Sequence, residues 1–198
     1  MLSNTALVLI GFQNDYFSQD GILHAVIEES SRITGVLENT LELLRTHGRE
    51  FGLVINTPII FTENYSELKD PVGILKTISE VGAFKQGSKG SEVIEEMQQF
   101  DDFVQYVPGK RGLNAFTQTG LAELLRQHHI EHVVFAGTVT SLCIDSTARS
   151  AIDNGFKVTV LSDCTSSRTD IEQDFYCQEI FPLYAQVKKS TELFAYNS

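Results

Sequence analysis

Cys143 stands in the stretch VVFAGTVTSLCIDSTARSAIDNGFKVTVLSDCT, where an apolar run gives way to small residues and then to a helical pattern that Cys143 opens. A cysteine at a helix N-terminus meets the positive end of the macrodipole and unpaired amide groups, and both favour the thiolate, the reactive form. Lys110, in VPGKRGLNAF, follows another strand pattern at about the place where chemistry collects in layered α/β folds. A lysine beside a cysteine favours the thiolate further. The chemistry these residues suggest is nucleophilic attack on a carbonyl carbon. The plainer alternatives are a structural core cysteine and a solvated surface lysine. A third stretch, ALVLIGFQNDYF, runs from an apolar strand into a polar Gln-Asn-Asp cluster, with Gly11 at the junction.

The elements that must position these residues alternate. Strand patterns cover 5–10, 53–62, 103–107, 132–136 and 157–161, with a sixth at 185–188. Several are near-continuous apolar runs, as expected where helices cover both faces of a sheet. Helical patterns lie at 30–47, 92–99, 119–128 and 143–154, and Gly48 follows the first as a helix-ending glycine would. This order predicts a three-layer α/β/α, Rossmann-like fold with a mostly parallel sheet of about six strands, and active residues beyond the carboxyl ends of the strands. Residues 63–91, rich in Gly and containing Pro71, read as an excursion that covers a site.

The chain has 198 residues and is read as one domain, 1–198, with a hydrophobic fraction of 42% that suffices for a substantial core. A formal charge of −11 argues against nucleic acid and anionic membrane surfaces as partners. No apolar run approaches the ~20 residues of a membrane span, and the first residues lack a basic signal-peptide region. Cys143, Cys164 and Cys177 are odd in number and widely spaced, unlike a disulfide framework, so a reducing cytoplasm is expected.

ALVLIGFQNDYF, GKRGLNAF and GTVTSLCIDSTARSAIDNGFKV resemble, in order and spacing, the isochorismatase-like cysteine hydrolases, a superfamily that includes nicotinamidases, N-carbamoylsarcosine amidohydrolases and ureidoacrylate amidohydrolases. The resemblance implies a catalytic set of Asp, Lys and Cys. Lys110 and Cys143 occupy two of those positions, and Gly11 occupies the place of the Asp. It also implies a cis peptide between Thr138 and Val139, with the Val139 and Cys143 amides forming an oxyanion hole. Isochorismatases proper cleave a vinyl ether with the acid and no cysteine, the reverse of what stands here. Nicotinamidases hold a metal through an Asp-x-His pair, where this chain has Asn64 and Ser66.

Some group must still protonate the leaving amine and activate water. Asp15 and Asp163 match family acids of structural character, and Glu63, after the strand ending PIIFT, is expected to replace the missing acid. Gln13, Phe116 and Arg168 are the candidate substrate contacts, and Arg111 is a possible carboxylate fork. The expected function is metal-independent cysteine hydrolysis of a small amide, carbamoyl or related C–N bond, with no cofactor, in a homo-oligomer (dimer or tetramer) that uses the aromatic-rich region 175–184. The alternatives are a catalytically silent relative that binds a metabolite or serves in an assembly, and a thiol-redox role for Cys143.

Overall fold

The structure is a computed structural model, and it describes residues 2–194. Six strands form one sheet: β1 (Leu2–Ile10), β2 (Phe51–Thr57), β3 (Val104–Tyr106), β4 (His132–Thr138), β5 (Lys157–Ser166) and β6 (Gln186–Lys188). The spatial order is β3-β2-β1-β4-β5-β6. Every pairing is parallel, so the sheet is wholly rather than mostly parallel. The order reverses at β1, whose Ile10 pairs with Thr57 of β2 on one side and Gly137 of β4 on the other. The carboxyl end of β1 is therefore the switch point, where the first turns of two crossovers diverge and leave a crevice.

Strand alternation builds the two cores. Ala6, Val8 and Ile10 face one layer, where they meet Leu121, Leu125, Ala148 and Ala151 of the helices Leu121–Gln127 and Asp145–Asp153. Leu7 and Leu9 face the other layer and meet Val36, Leu41 and Leu44 of the helix Val36–His47. A third cluster caps the carboxyl end of the sheet, with Tyr16, Ile59, Phe61, Ile78, Phe84 and Val139 at its centre.

Element boundaries differ from the sequence patterns for local reasons. The pattern at 53–62 stops as a strand at Thr57, because Pro58 has no N–H for a ladder. Beyond it the chain makes only isolated bridges, Ile59 to Lys110 and Phe61 to Lys85. The single helix read at 30–47 is two, His24–Thr34 and Val36–His47, broken at Gly35, which is left-handed with φ of 67°. The excursion at 63–91 contains a helix of its own, Gly73–Val81. In the region expected to make subunit contacts, Phe175 and Leu183 are exposed, as is neighbouring Ile171.

Candidate active site

Cys143 lies on the chain leaving β4. The backbone from Val139 makes a wide turn, closed by Ile144 N–H donating to the Val139 carbonyl at 3.2 Å, before the helix Asp145–Asp153 begins. Cys143 thus sits within the wide turn, two residues ahead of the regular helix rather than at its first residue. Wide turns of this kind recur at functional sites because they re-aim a side chain without ending the helix. The Thr138–Val139 peptide is cis. Gly137 is required just before it, since a Cβ there would lie 1.8 Å from the Ile10 carbonyl oxygen.

Lys110 reaches the same place from the loop after β3. Ile60 N–H donates to its carbonyl at 3.3 Å, which stitches the loop to the segment beyond Pro58. The side chain is buried, at 1% exposure. Its Nζ donates to the Gly112 carbonyl at 2.5 Å and to Cys143 Sγ at 3.5 Å. Thr147 holds the strap from the other side, accepting from Ala115 N–H at 3.1 Å and donating to the Leu113 carbonyl. A buried ammonium is tolerated only where an anion or several acceptors compensate it. Among the described residues, Sγ and one carbonyl are the partners of Lys110 Nζ.

The other two thiols are different. Burial, and then the charge of Asp163, pushes Cys164 well above the ordinary thiol range. Burial, and then Asp174, pushes Cys177 up to about 12. All three cysteines are free.

The position of the absent acid is closed. Gly11 has φ of +79°, and a Cβ built there would lie 2.7 Å from the Thr138 carbonyl oxygen and 3.5 Å from the Tyr16 ring. Tyr16 is itself buried, against Phe84 with ring centroids 5.0 Å apart. Burial, then the nearby charges of Cys143 and Asp15, keep its hydroxyl protonated well above neutral pH.

Glu63, expected to supply the acid, does not come to the sulfur. It is exposed on the turn after Phe61 and makes no hydrogen bond or ion pair among the described residues. The carboxylate that anchors this turn is Glu67, which accepts from Thr62 N–H and faces Arg111 at 3.5 Å. Asp15 is spent on the Phe84 N–H at 2.6 Å, and Asp163 on the N–H and hydroxyl of Ser190. Both act as fasteners, as their resemblance to structural family acids suggests.

Two of the three expected substrate contacts are placed elsewhere. Gln13 is fully buried, and its amide donates to the carbonyls of Ile59 and Ser91 and accepts from Ile59 N–H. It clamps the covering segment, with both amide hydrogens engaged. Phe116 stacks on Phe156, the residue before β5, towards the amino ends of the strands. Arg168 does lie at the carboxyl end, just after β5. Its guanidinium is held bidentate by Glu172, with Nη2 to Oε1 at 2.8 Å.

The sequence patterns do not single out Glu172 or Gln173. Thr140, on the wide turn, donates to Gln173 Oε1 at 2.6 Å, and Gln173 Nε2 donates to the Ser162 carbonyl and to Thr165. This fixes the turn to the end of β5. Glu172 accepts from the Ser167 hydroxyl at 2.7 Å, and Ser167 in turn touches Ser141 of the turn. No local pattern marks these residues, because their role depends on two loops meeting. Burial alone would raise the Glu172 carboxyl, but Arg168, Ser167, Ser141 and the Arg168 N–H outweigh it and hold the group near about 2. A folded-state value below the ordinary 4.5 means the ion contributes stability above that pH and loses it as pH falls towards 2. Glu172→Gln is accordingly expected to cost about 1–2 kcal/mol at pH 7, discounted for the exposed Arg168, and roughly a quarter of that near pH 2.5. Urea midpoints at the two pH values check this, and an equal loss at both would show that the charge is not responsible.

Asn64 and Ser66 are exposed: Asn64 Oδ1 accepts from the Thr62 hydroxyl and from Ser66 N–H, the Ser66 and Thr62 hydroxyls share a hydrogen bond, and no three His, Cys, Asp or Glu side chains among the described residues gather as ligands. No helix among the described residues is long and apolar enough to cross a membrane.

A wholly parallel six-stranded sheet covered by helices on both faces, with a buried cysteine and lysine side by side beyond its carboxyl ends, defines the class, a Rossmann-like α/β/α protein. The chain belongs to the isochorismatase family, whose domain model matches residues 5–192. It is 26% identical over 162 residues to Nicotinamidase 3 of Arabidopsis thaliana, covering 82% of this chain and 73% of that protein. It is 30% identical over 179 residues to a ureidoacrylate amidohydrolase of Pantoea ananatis, covering 81% and 68%. The cysteine hydrolase structure from Pseudomonas syringae pv. phaseolicola superposes with a TM-score of 0.81 at 20% identity, over 98% of this chain and 92% of that one, which establishes the shared fold.

Proposed function

We propose that the protein is a metal-independent thiol hydrolase of a small amide, carbamoyl or related C–N bond. The observation that carries this reading is the buried pair of Lys110 Nζ and Cys143 Sγ, 3.5 Å apart at the switch point of the sheet. Cys143 Sγ attacks the carbonyl carbon, and the backbone amides of Val139 and Cys143 receive the oxyanion. The tetrahedral adduct expels the amine and leaves a thioester on Cys143, which water hydrolyses. The named relatives, a nicotinamidase and a ureidoacrylate amidohydrolase, support a substrate with a planar carbonyl bonded to nitrogen. A vinyl ether is disfavoured, since its cleavage relies on the acid that Gly11 lacks. A free thiol at the centre of the reaction suits a reducing, cytoplasmic setting.

The test has two arms. With limiting iodoacetamide at neutral pH, peptide mapping should find Cys143 labelled before Cys164 and Cys177. A panel of small primary amides and N-carbamoyl compounds, screened for ammonia release, should yield a substrate that leaves an acyl group on Cys143 in acid-quenched samples. Prior labelling of Cys164 or Cys177, or turnover with no acyl group on Cys143, would count against the reading.

A further inference from the structure

We propose that Lys110 is the proton carrier of the reaction, so that the site works as a cysteine–lysine pair with no carboxylate; this rests on the thiol-hydrolase reading above. The argument begins with where each acid near the crevice is engaged. Asp15 is bound to Phe84, Asp163 to Ser190, Glu67 to Thr62 and Arg111, and Glu172 to Arg168 and Ser167. Glu63 faces solvent. The place of the family acid is sealed by the Thr138 carbonyl. The Tyr16 phenol, held protonated by burial, is a poor base. Among the described side chains, Lys110 Nζ is the group hydrogen-bonded to Sγ.

The geometry suits the transfer. The departing nitrogen shares a carbon with Sγ in the tetrahedral adduct, so it lies about 3 Å from the sulfur and within reach of a donor beside it. The resting pair is thiolate and ammonium. Sγ forms its bond to the carbonyl carbon, whose π electrons move to oxygen. The oxyanion collapses, the C–N bond breaks, and its electron pair takes a proton from Lys110 Nζ. The products of this half are a thioester, a free amine and a neutral lysine. Water then attacks the thioester while giving a proton to Lys110 Nζ. Collapse breaks the C–S bond and restores thiolate and ammonium, with a carboxylic or carbamic acid released. No further acid, base or co-reactant is needed. The Gly112 carbonyl, at 2.5 Å, keeps Nζ on station through both halves.

The experiment separates charge from proton transfer with two isosteric probes, p-nitrophenyl acetate and p-nitroacetanilide. The phenolate leaves without a proton, and the anilide needs one. The wild type should release a burst of nitrophenol equal to one per site and also hydrolyse the anilide. Lys110→Arg keeps the charge and cannot give up its proton at neutral pH. It should retain the ester burst within about tenfold and lose anilide hydrolysis by ~10²–10⁴-fold. Should arginine not be accommodated, Lys110→Ala supplies a second reading. Added methylamine should restore anilide hydrolysis, and tetramethylammonium at equal concentration should not. The proposal is overturned by anilide hydrolysis in Lys110→Arg within about threefold of wild type, by methylamine failing where it should restore, or by a wild type that takes the ester and never the anilide. Absence of the ester burst in the wild type overturns the nucleophile reading itself, which keeps the two failures apart.

Discussion

Cys143→Ala is expected to lower turnover of the amide found by the screen by roughly 10⁴–10⁶-fold, the scale seen when a covalent nucleophile is removed and binding alone remains. The same substitution has a second expected effect, on stability. Lys110 is buried and has Sγ and the Gly112 carbonyl as its partners. Deleting the sulfur strands an ammonium in a low-dielectric pocket, which costs about 3 kcal/mol, the lower end for breaking a buried pair because the carbonyl remains. Lys110→Met keeps the stem and removes the charge. Added to Cys143→Ala, it should recover most of the loss, so the double variant is more stable than Cys143→Ala alone. Urea midpoints at constant m-value give the four corners of the cycle. Additive losses would mean that the two side chains do not compensate one another, and the thiolate–ammonium assignment would fall with that result.

Cys143 could be anticipated because it stands just past β4, whose apolar run is readable by itself, whereas Lys110 follows β3, a three-residue edge strand of which only Val104 is buried. Strands β1, β4 and β5 are largely buried and rich in apolar residues, so they declare themselves, and the βα order dictates a parallel sheet with its carboxyl ends together. What was not legible depends on contacts distant in sequence. Gln13 looked like a ligand-facing polar residue beside the site. Only the approach of the Ile59 and Ser91 segments turns its amide into a clamp. Phe116 follows Lys110 by six positions, yet the chain has by then turned back along the sheet to reach Phe156. Glu63 follows the apolar pattern ending PIIFT, but the strand itself ends at Thr57. Pro58 stops the ladder earlier, and the residues beyond it curl into a turn closed by Thr62 and Glu67. Gly35 and the helix Gly73–Val81 show the same limit at the level of elements, since a left-handed break and a helix within a glycine-rich excursion leave weak periodic signals.

Gly11→Asp is expected to destabilise the protein and to restore nothing. By sequence alone the position invites the opposite expectation, a vacancy waiting for the family carboxylate. The backbone forbids it. At φ of +79° a residue with a Cβ costs about 1–2 kcal/mol relative to glycine. The added Cβ would also stand 2.7 Å from the Thr138 carbonyl oxygen, a backbone atom fixed by β4 and by the Thr138 hydroxyl bonding to the Ser166 carbonyl at 2.9 Å. Strand β4 or the end of β1 must shift, and β4 leads directly into the wide turn that aims Cys143. A combined loss of about 3 kcal/mol follows, which for a chain of this size lowers Tm by roughly 6–12 °C. Gly11→Ala meets the same φ and the same carbonyl without the charge, so it should lose a similar amount. Near-equality of the two variants by thermal unfolding would assign the loss to the backbone. Turnover should fall in both, because the displaced segment positions the nucleophile and Lys110 already carries the proton. If Gly11→Asp instead unfolded at the wild-type temperature with a raised kcat, the strand end would have room for an acid after all. The two-residue scheme would then be a damaged triad rather than a complete site.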